Sequence, residues 1–408
     1  MAGRQGANGA KDAGNSKLRR PRVLITGGAV GAFLAAAAMA TGSAAPAKAD
    51  LDDLLDPIIQ PILTQVTDSL AGVDPTLATD LTSWTDTFLA DLNSLDSATS
   101  GSSTALAAAA SPALSGGPPE GSIPITVAED TEPTVQATVD GANTTLLVDT
   151  GSSGLVIPYT DLSFSQLLDL GFPSGINVSS YSGGVDYLYL EYNDVPTDYG
   201  NNVLDTTGPV DVEIYSYNPS DFSSFFTNDA FQNFDNDNEV TGILGIGDSS
   251  GAAGPTESPF EEEGDPGVTV DIFPNGQDGD LVVGPNVDAG ANAITVSGAP
   301  TSTLYESYDG GPHTQVTDDV DSGGVYGTIP QSLVGSATTV PAGQTISVYD
   351  SSGDELYSYQ TGYDSLGYST SPDVVSGTSV DSGVEPYLEE PIYIDYGNDT
   401  LTFDDPLS

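Results

Sequence analysis

Every lysine and arginine of this 408-residue chain lies within its first 48 residues: Arg4, Lys11, Lys17, Arg19, Arg20, Arg22 and Lys48. Beyond them the only side chain that can carry positive charge is His313, and cysteine is absent. Whatever folds after residue 50 must therefore be held together by burial, without disulfides. The roughly 290 residues at the C-terminal end are enough for one large or two medium cores.

The basic residues mark a leader. They precede an apolar run from Val23 to Ala40, and Ala47-Lys48-Ala49 supplies an A-x-A cleavage site. Residues 1–49 are expected to be an export signal, with the mature chain starting at Asp50. A permanent membrane anchor fits less well, because the run is rich in Ala and Gly and ends in a cleavage motif. Arg19-Arg20 suggests the twin-arginine route. Cleavage removes one acid, Asp12, and all seven bases, which leaves a strongly acidic protein. Nucleic acid and anionic lipid are poor partners for such a surface. The expectation is a secreted or envelope-associated monomer, not inserted in the membrane once the signal is gone.

Between Leu51 and Leu95 apolar residues recur at helical spacing, from Leu54, Leu55, Ile58 and Ile59 to Leu81, Trp84 and Phe88. Residues 50–96 thus read as a helical pre-domain of two short helices broken near Gly72 to Pro75. Residues 97–121, rich in Ala, Ser, Gly and Pro with almost no charge, read as a linker. From Ile123 onward the chain changes to short runs rich in Val, Ile, Tyr and Thr, such as PTVQATVDGANTTLLVD, VDYLYLEY, GPVDVEIYSY, DLVVGP, TISVYD and EPIYIDY. Asp140-Gly141 between two alternating runs predicts a hairpin turn. The body is expected to be mainly β, without βαβ alternation.

Three D-[ST]-G triplets occur, at Asp149, Asp321 and Asp381. In a chain this rich in Asp, Ser, Thr and Gly a bare triplet carries little weight. The first has a specific context: Leu146-Leu147-Val148 delivers Asp149 into a turn that continues Thr150-Gly151-Ser152-Ser153, and Leu155-Val156-Ile157-Pro158 leaves it. Such a turn buries a carboxylate at the base of a sheet, where it needs hydrogen bonds or a partner.

Over these residues the chain resembles the pepsin-like aspartic proteases. TGILGIGD (Thr241 to Asp248) is similar to the strand beneath the first active-site turn of that family, and GDLVVGPN (Gly279 to Asn286) to its interlobe strand. DDVDSGGVYGTIP (Asp318 to Pro330) is similar to the second turn, and EPYLEEPIYIDYGNDTLTF to the closing strands. The resemblance implies an all-β, bilobal acid-protease fold, with an N-terminal lobe over residues 122–290 and a C-terminal lobe over 291–408. It implies catalytic Asp149 and Asp321, glycines Gly151 and Gly323 at the turns, Thr150 and Ser322 locking the two loops together, and Ser152 orienting Asp149. Asp381 competes for the second position, but too few residues follow it to complete a lobe. Gly324 stands where most of the family has Ser or Thr, which takes an orienting hydroxyl from Asp321. The implied flap tyrosine is Tyr192 by spacing, with Tyr181 in SYSGG as rival.

The implied reaction is hydrolysis of an extended peptide or protein by a water activated between two carboxyls, with no metal or organic cofactor. Elimination agrees, since a single histidine, no cysteine and no lysine after position 48 leave carboxylate chemistry. A glycosidase pair would leave both turns without a role. FDNDNEVTG (Phe234 to Gly242) starts like a calcium loop but lacks the glycine at position six and the closing glutamate, and reads as a solvated loop. The helical leader, the Ala-rich, lysine-poor and cysteine-free chain and the Asp-Thr-Gly-Ser and Asp-Ser-Gly-Gly turns also resemble, more loosely, mycobacterial aspartic proteases that trim PE-type surface proteins. The alternative class is a catalytically idle binding protein of the same fold.

Overall fold

The computed structural model describes residues 121–406, apart from 172, 182–184, 201–203, 218–229, 238, 253, 288 and 366. The expected export signal, helical pre-domain and linker, up to residue 120, lie outside the described residues. Twenty strands and a few short helices make up the rest.

In the first half the strands are β1 (Gly121–Ala128), β2 (Glu132–Val139), β3 (Ala142–Asp149), β4 (Ser153–Pro158), β5 (Gly175–Tyr181), β6 (Val185–Asp198), β7 (Asp205–Tyr217), β8 (Ile243–Ile246), β9 (Gly267–Ile272) and β10 (Asp278–Val283). In the second half they are β11 (Ile294–Ser297), β12 (Thr301–Tyr308), β13 (Thr314–Asp319), β14 (Thr328–Pro330), β15 (Thr345–Tyr349), β16 (Glu355–Gln360), β17 (Asp373–Val375), β18 (Ser379–Asp381), β19 (Ile392–Asp395) and β20 (Thr400–Phe403). The helices include α1 (Phe164–Asp169), α2 (Ala230–Asp237), α3 (Pro259–Glu262), α4 (Gln331–Val334) and α5 (Glu385–Glu389).

These strands form two sheets. The larger has thirteen strands in the order β11-β20-β19-β9-β10-β1-β2-β3-β8-β4-β7-β6-β5, and the smaller has seven, β16-β15-β12-β13-β18-β14-β17. The sheet that carries the first Asp turn thus extends through β9 and β10 to the last strands of the chain, crossing the expected lobe boundary at residue 290. The mainly β character implied by the sequence is the architecture observed, arranged as two sheets.

Local chemistry explains the central elements. Asp140 and Gly141 both take positive φ, 47° and 80°, as the tight turn between β2 and β3 requires. Leu146, Val148, Leu155, Ile157, Leu244 and Ile246 are fully buried, so the second half of β3, with β4 and β8, is apolar at successive positions because both faces are covered there. Each such side chain contributes about 1.5–3 kcal/mol by leaving water.

Both halves repeat one arrangement. β8 runs parallel to β3 and antiparallel to β4, and β18 runs parallel to β13 and antiparallel to β14. The two copies are offset by 172 residues, the separation of Thr150 from Ser322. Val156 faces Ile243 in the first copy and Thr328 faces Asp381 in the second. Each motif carries an Asp turn to the place where the two sheets meet.

Candidate active site

Asp149 is the last residue of β3, and Asp321 stands just beyond the end of β13. Asp149 is 4% exposed and Asp321 fully buried. The Gly151 N–H donates to Asp149 Oδ1 at 2.9 Å and to Asp321 Oδ1 at 3.1 Å, so one donor is shared by both carboxyls. Gly323 N–H donates to Asp321 Oδ1 at 2.8 Å, and Ser152 Oγ donates to Asp149 Oδ2 at 2.6 Å.

The approach depends on the two glycines. A Cβ on Gly151 would overlap the Asp321 carboxyl carbon, and a Cβ on Gly323 would lie 2.9 Å from that of Asp149. Each turn thus leaves out the side chain that would push the opposite carboxyl away.

Behind the carboxyls the loops grip each other. Ser322 N–H donates to Thr150 Oγ1 at 2.8 Å and Thr150 Oγ1 donates to Val320 O at 2.8 Å. Ser322 Oγ donates to Val148 O at 2.7 Å and lies 3.1 Å from the Thr150 nitrogen. All of these groups are buried, where an unmade hydrogen bond is costly, so the set fixes the distance between the turns.

Sequence reasoning missed one member of this network. Tyr387, on α5 and fully buried, places its hydroxyl 2.9 Å from both Thr150 Oγ1 and Val320 O. No local pattern marks it, because its partners lie 237 and 67 residues away. It also missed the company Asp321 keeps. Burial first, then the charges of Asp149, Asp381 and Asp319, push the Asp321 carboxyl well above the usual range. Burial and the nearby Asp149 raise Asp319 to about 7. Asp381 is pushed up chiefly by burial and then by Asp319.

Other expected positions are resolved differently. Tyr192 sits within β6 opposite Val210 of β7, 5% exposed and packed into the main core, with burial raising its hydroxyl to about 12. It is not at a hairpin tip. Asn193-Asp194 form a bulge in β6, with Asp194 at φ 59°, and the strand continues to Asp198. The rival, Tyr181, is the last residue of β5 and pairs with Val185, the first of β6, at the closing end of the hairpin. The calcium-like segment begins inside α2 rather than in a loop, and no cluster of three metal-ligating side chains occurs among the described residues. His313 stacks on Tyr349 with ring centroids 3.8 Å apart. Asp381 ends β18 beneath the second turn, in the register position that Ile243 holds in the first copy. No helix among the described residues is long and apolar enough to cross a membrane.

Comparison with known proteins places the chain in a family. The sequence model of the PE-PGRS C-terminal aspartyl peptidase-like domain matches residues 121–402. PE cleavage protein A of Mycobacterium tuberculosis, in strains CDC 1551 and H37Rv, is 37% identical over 301 residues, 70% of this chain and 52% of that protein. The Mycobacterium marinum protein of the same name is 36% identical over 302 residues, with the same coverage. The chain spans about half the length of the curated relatives it matches, 52% of each. Among solved structures, an aspartic proteinase from Irpex lacteus superposes with a TM-score of 0.48 at 16% identity, covering 70% of this chain and 97% of that one.

Proposed function

Since the chain belongs to the PE-PGRS C-terminal aspartyl peptidase-like domain family, we propose that it is an aspartic endopeptidase in which Asp149 and Asp321 activate a water for attack on a peptide carbonyl. The observation that carries the reading is the shared Gly151 N–H, which holds one oxygen of each carboxyl within hydrogen-bond reach of the same atom. Two buried carboxyls this close cannot both ionise cheaply, so they hold one proton between them.

The surroundings distribute that proton unevenly. Asp149 accepts bonds from Ser152 Oγ and Gly151 N, while Asp321 lies among Asp149, Asp381 and Asp319, which favour its protonated form. Asp149 is then the base that takes a proton from the attacking water. Asp321 is the acid that protonates the carbonyl oxygen as the tetrahedral intermediate forms, and the roles reverse as the amine leaves. Thr150, Ser322, Gly323 and Tyr387 hold the two turns at a fixed separation.

Tyr181, at the closing end of the β5–β6 hairpin, is the flap residue in this reading, in place of Tyr192. The substrate is an extended peptide segment within a protein. The relatives' name, PE cleavage protein A, supports PE-type surface or secreted proteins as the substrate class and the cell envelope as the place of action. Residues 1–49 act as a removable export signal, 50–96 as a secretion or docking pre-domain, 97–120 as a linker, and 121–290, with Gly121 already in β1 rather than in the linker, and 291–408 as the two lobes.

The test is cleavage of a peptide library and of PE-type proteins by the full chain, from acidic to neutral pH, beside Asp149→Asn and Asp321→Asn. Each substitution is expected to lower turnover ~10³-fold while the protein stays folded. A folded wild type that cleaves nothing would transfer the assignment to a binding protein of the same fold.

A further inference from the structure

Ser152 and Gly324 hold equivalent places in the two turns, at the offset that relates Thr150 to Ser322. In the first turn the Ser152 hydroxyl reaches Asp149 Oδ2 at 2.6 Å. In the second the corresponding space is filled from elsewhere: a Cβ on Gly324 would overlap Asp381 Oδ1 and lie 3.0 Å from Asp381 Cγ. Gly324 is not among the residues with positive φ, so its backbone does not demand glycine. The Asp381 carboxyl is what bars a side chain there.

Asp381 has its own counterpart, which strand register identifies as Ile243. The first half therefore pairs a hydroxyl at the turn with an apolar residue on the strand beneath. The second half pairs no side chain at the turn with a carboxyl on the strand. Asp381 is 2% exposed, and its Oδ1 accepts the Gly383 N–H at 3.0 Å. Its Oδ2, like Asp321 Oδ2, is buried with no hydrogen-bond partner in the protein.

We propose that Asp381 is a positioning residue for Asp321: its carboxyl fills the place of the missing orienting hydroxyl, and the two buried carboxyls oppose each other's ionisation. The proposal rests on the aspartic-protease reading for its functional meaning and on the Gly324–Asp381 contact for its physical basis. The titratable groups around Asp381 all act in one direction. Asp319 from β13, Asp149 and Asp321 from the two turns, and Asp318 and Tyr359 beyond them, are acidic or neutral. With no lysine or arginine after residue 48, each ionisation makes the next harder. Burial, the first cause of the raised Asp321 carboxyl, is thus reinforced by a third carboxylate that the first half of the fold lacks.

Three variants of the full chain test this: Asp381→Asn, Gly324→Ser and the double Gly324→Ser/Asp381→Ala. The readouts are kcat/KM against pH on a cleaved peptide, carbon-13 NMR titration of the Asp321 carboxyl, and Tm. Asn keeps the shape of Asp381 but cannot ionise, which removes its opposition to the ionisation of Asp321. It is expected to lower both the alkaline limb of kcat/KM and the Asp321 midpoint by about one pH unit. Gly324→Ser alone is expected to lose Tm and activity through collision with Asp381, and Asp381→Ala in the same chain to restore both. An unmoved Asp321 midpoint in Asp381→Asn together with an unaffected Gly324→Ser protein would overturn the proposal. A wild type that cleaves no peptide, yet shows the midpoint shift and the Tm rescue, would remove the protease reading and leave the coupling of Asp381 to Asp321 in place.

Discussion

A methyl group at residue 151 is the smallest change that would drive the two carboxyls apart. Gly151→Ala must displace Asp321 or its own turn, since the added atom overlaps the Asp321 carboxyl carbon. We expect turnover to fall about 10²-fold or more with KM little changed, because positioning of the reacting groups is lost and peptide binding is not. Steady-state kinetics on one peptide decide it. Behind the pair, Thr150 and Tyr387 separate an essential clamp from a supporting one. Tyr387→Phe leaves Thr150 Oγ1 its bonds to Ser322 N–H and Val320 O and is expected to cost about 1 kcal/mol in urea unfolding. Thr150→Val leaves a buried N–H and a buried carbonyl without that partner and is expected to cost about 2–3 kcal/mol. Asp149 is legible in sequence because apolar strands on both sides leave a carboxylate no other place than the base of a sheet. Tyr387 is not, since what defines it is contact with Thr150, 237 residues away. Asp381 shows as a third triplet, but its relation to Gly324 exists only once β18 is laid beneath the second turn.

At the scale of elements, alternation and turn chemistry carried most of the information. The β2–β3 hairpin follows from Asp140-Gly141, and the buried second half of β3, with β4 and β8, from short apolar runs. For the flap, a count of residues stands in poorly for register. β6 and β7 are paired over most of fourteen and thirteen residues, and a bulge between Tyr192 and Val195 absorbs what looks like a turn. Tyr192 is consequently inside the sheet and Tyr181 at the end of its hairpin. The two tyrosines should separate cleanly by experiment. Tyr192→Ala removes a buried ring and is expected to destabilise by about 3–5 kcal/mol. Tyr181→Ala is expected to leave Tm within a few degrees while kcat/KM falls about tenfold or more. The reverse pattern in Tm and kcat/KM would return the flap to Tyr192.

For the molecule as a whole, the charge imbalance becomes a statement about pH. Asp211, Glu213, Glu306 and Glu385 are buried in a chain without lysine or arginine after residue 48. Burial raises each carboxyl to about 8, partly opposed at Asp211 by Thr256 and at Glu213 by Ser216. The folded protein therefore keeps protons that the unfolded chain, with ordinary carboxyls near pH 4, has already released. Wherever the folded state binds more protons, stability falls as pH rises. The contribution is complete below about pH 4, declines as pH approaches 8, and is constant beyond it, the opposite of proteins whose carboxylates are held low by salt bridges. We expect Tm to drop by about 5–10 °C or more between these limits. Added salt should recover the share that comes from surface repulsion and not the share from buried acids, which salt screens much less. Calorimetry of the wild type beside Glu306→Gln distinguishes the two contributions. Glutamine at this 2%-exposed site carries no titrating proton, so the variant should lose less Tm than the wild type on going from acid to neutral pH. A Tm that rises with pH in both proteins would mean that the buried carboxyls find donors in the folded state and are not held protonated by burial.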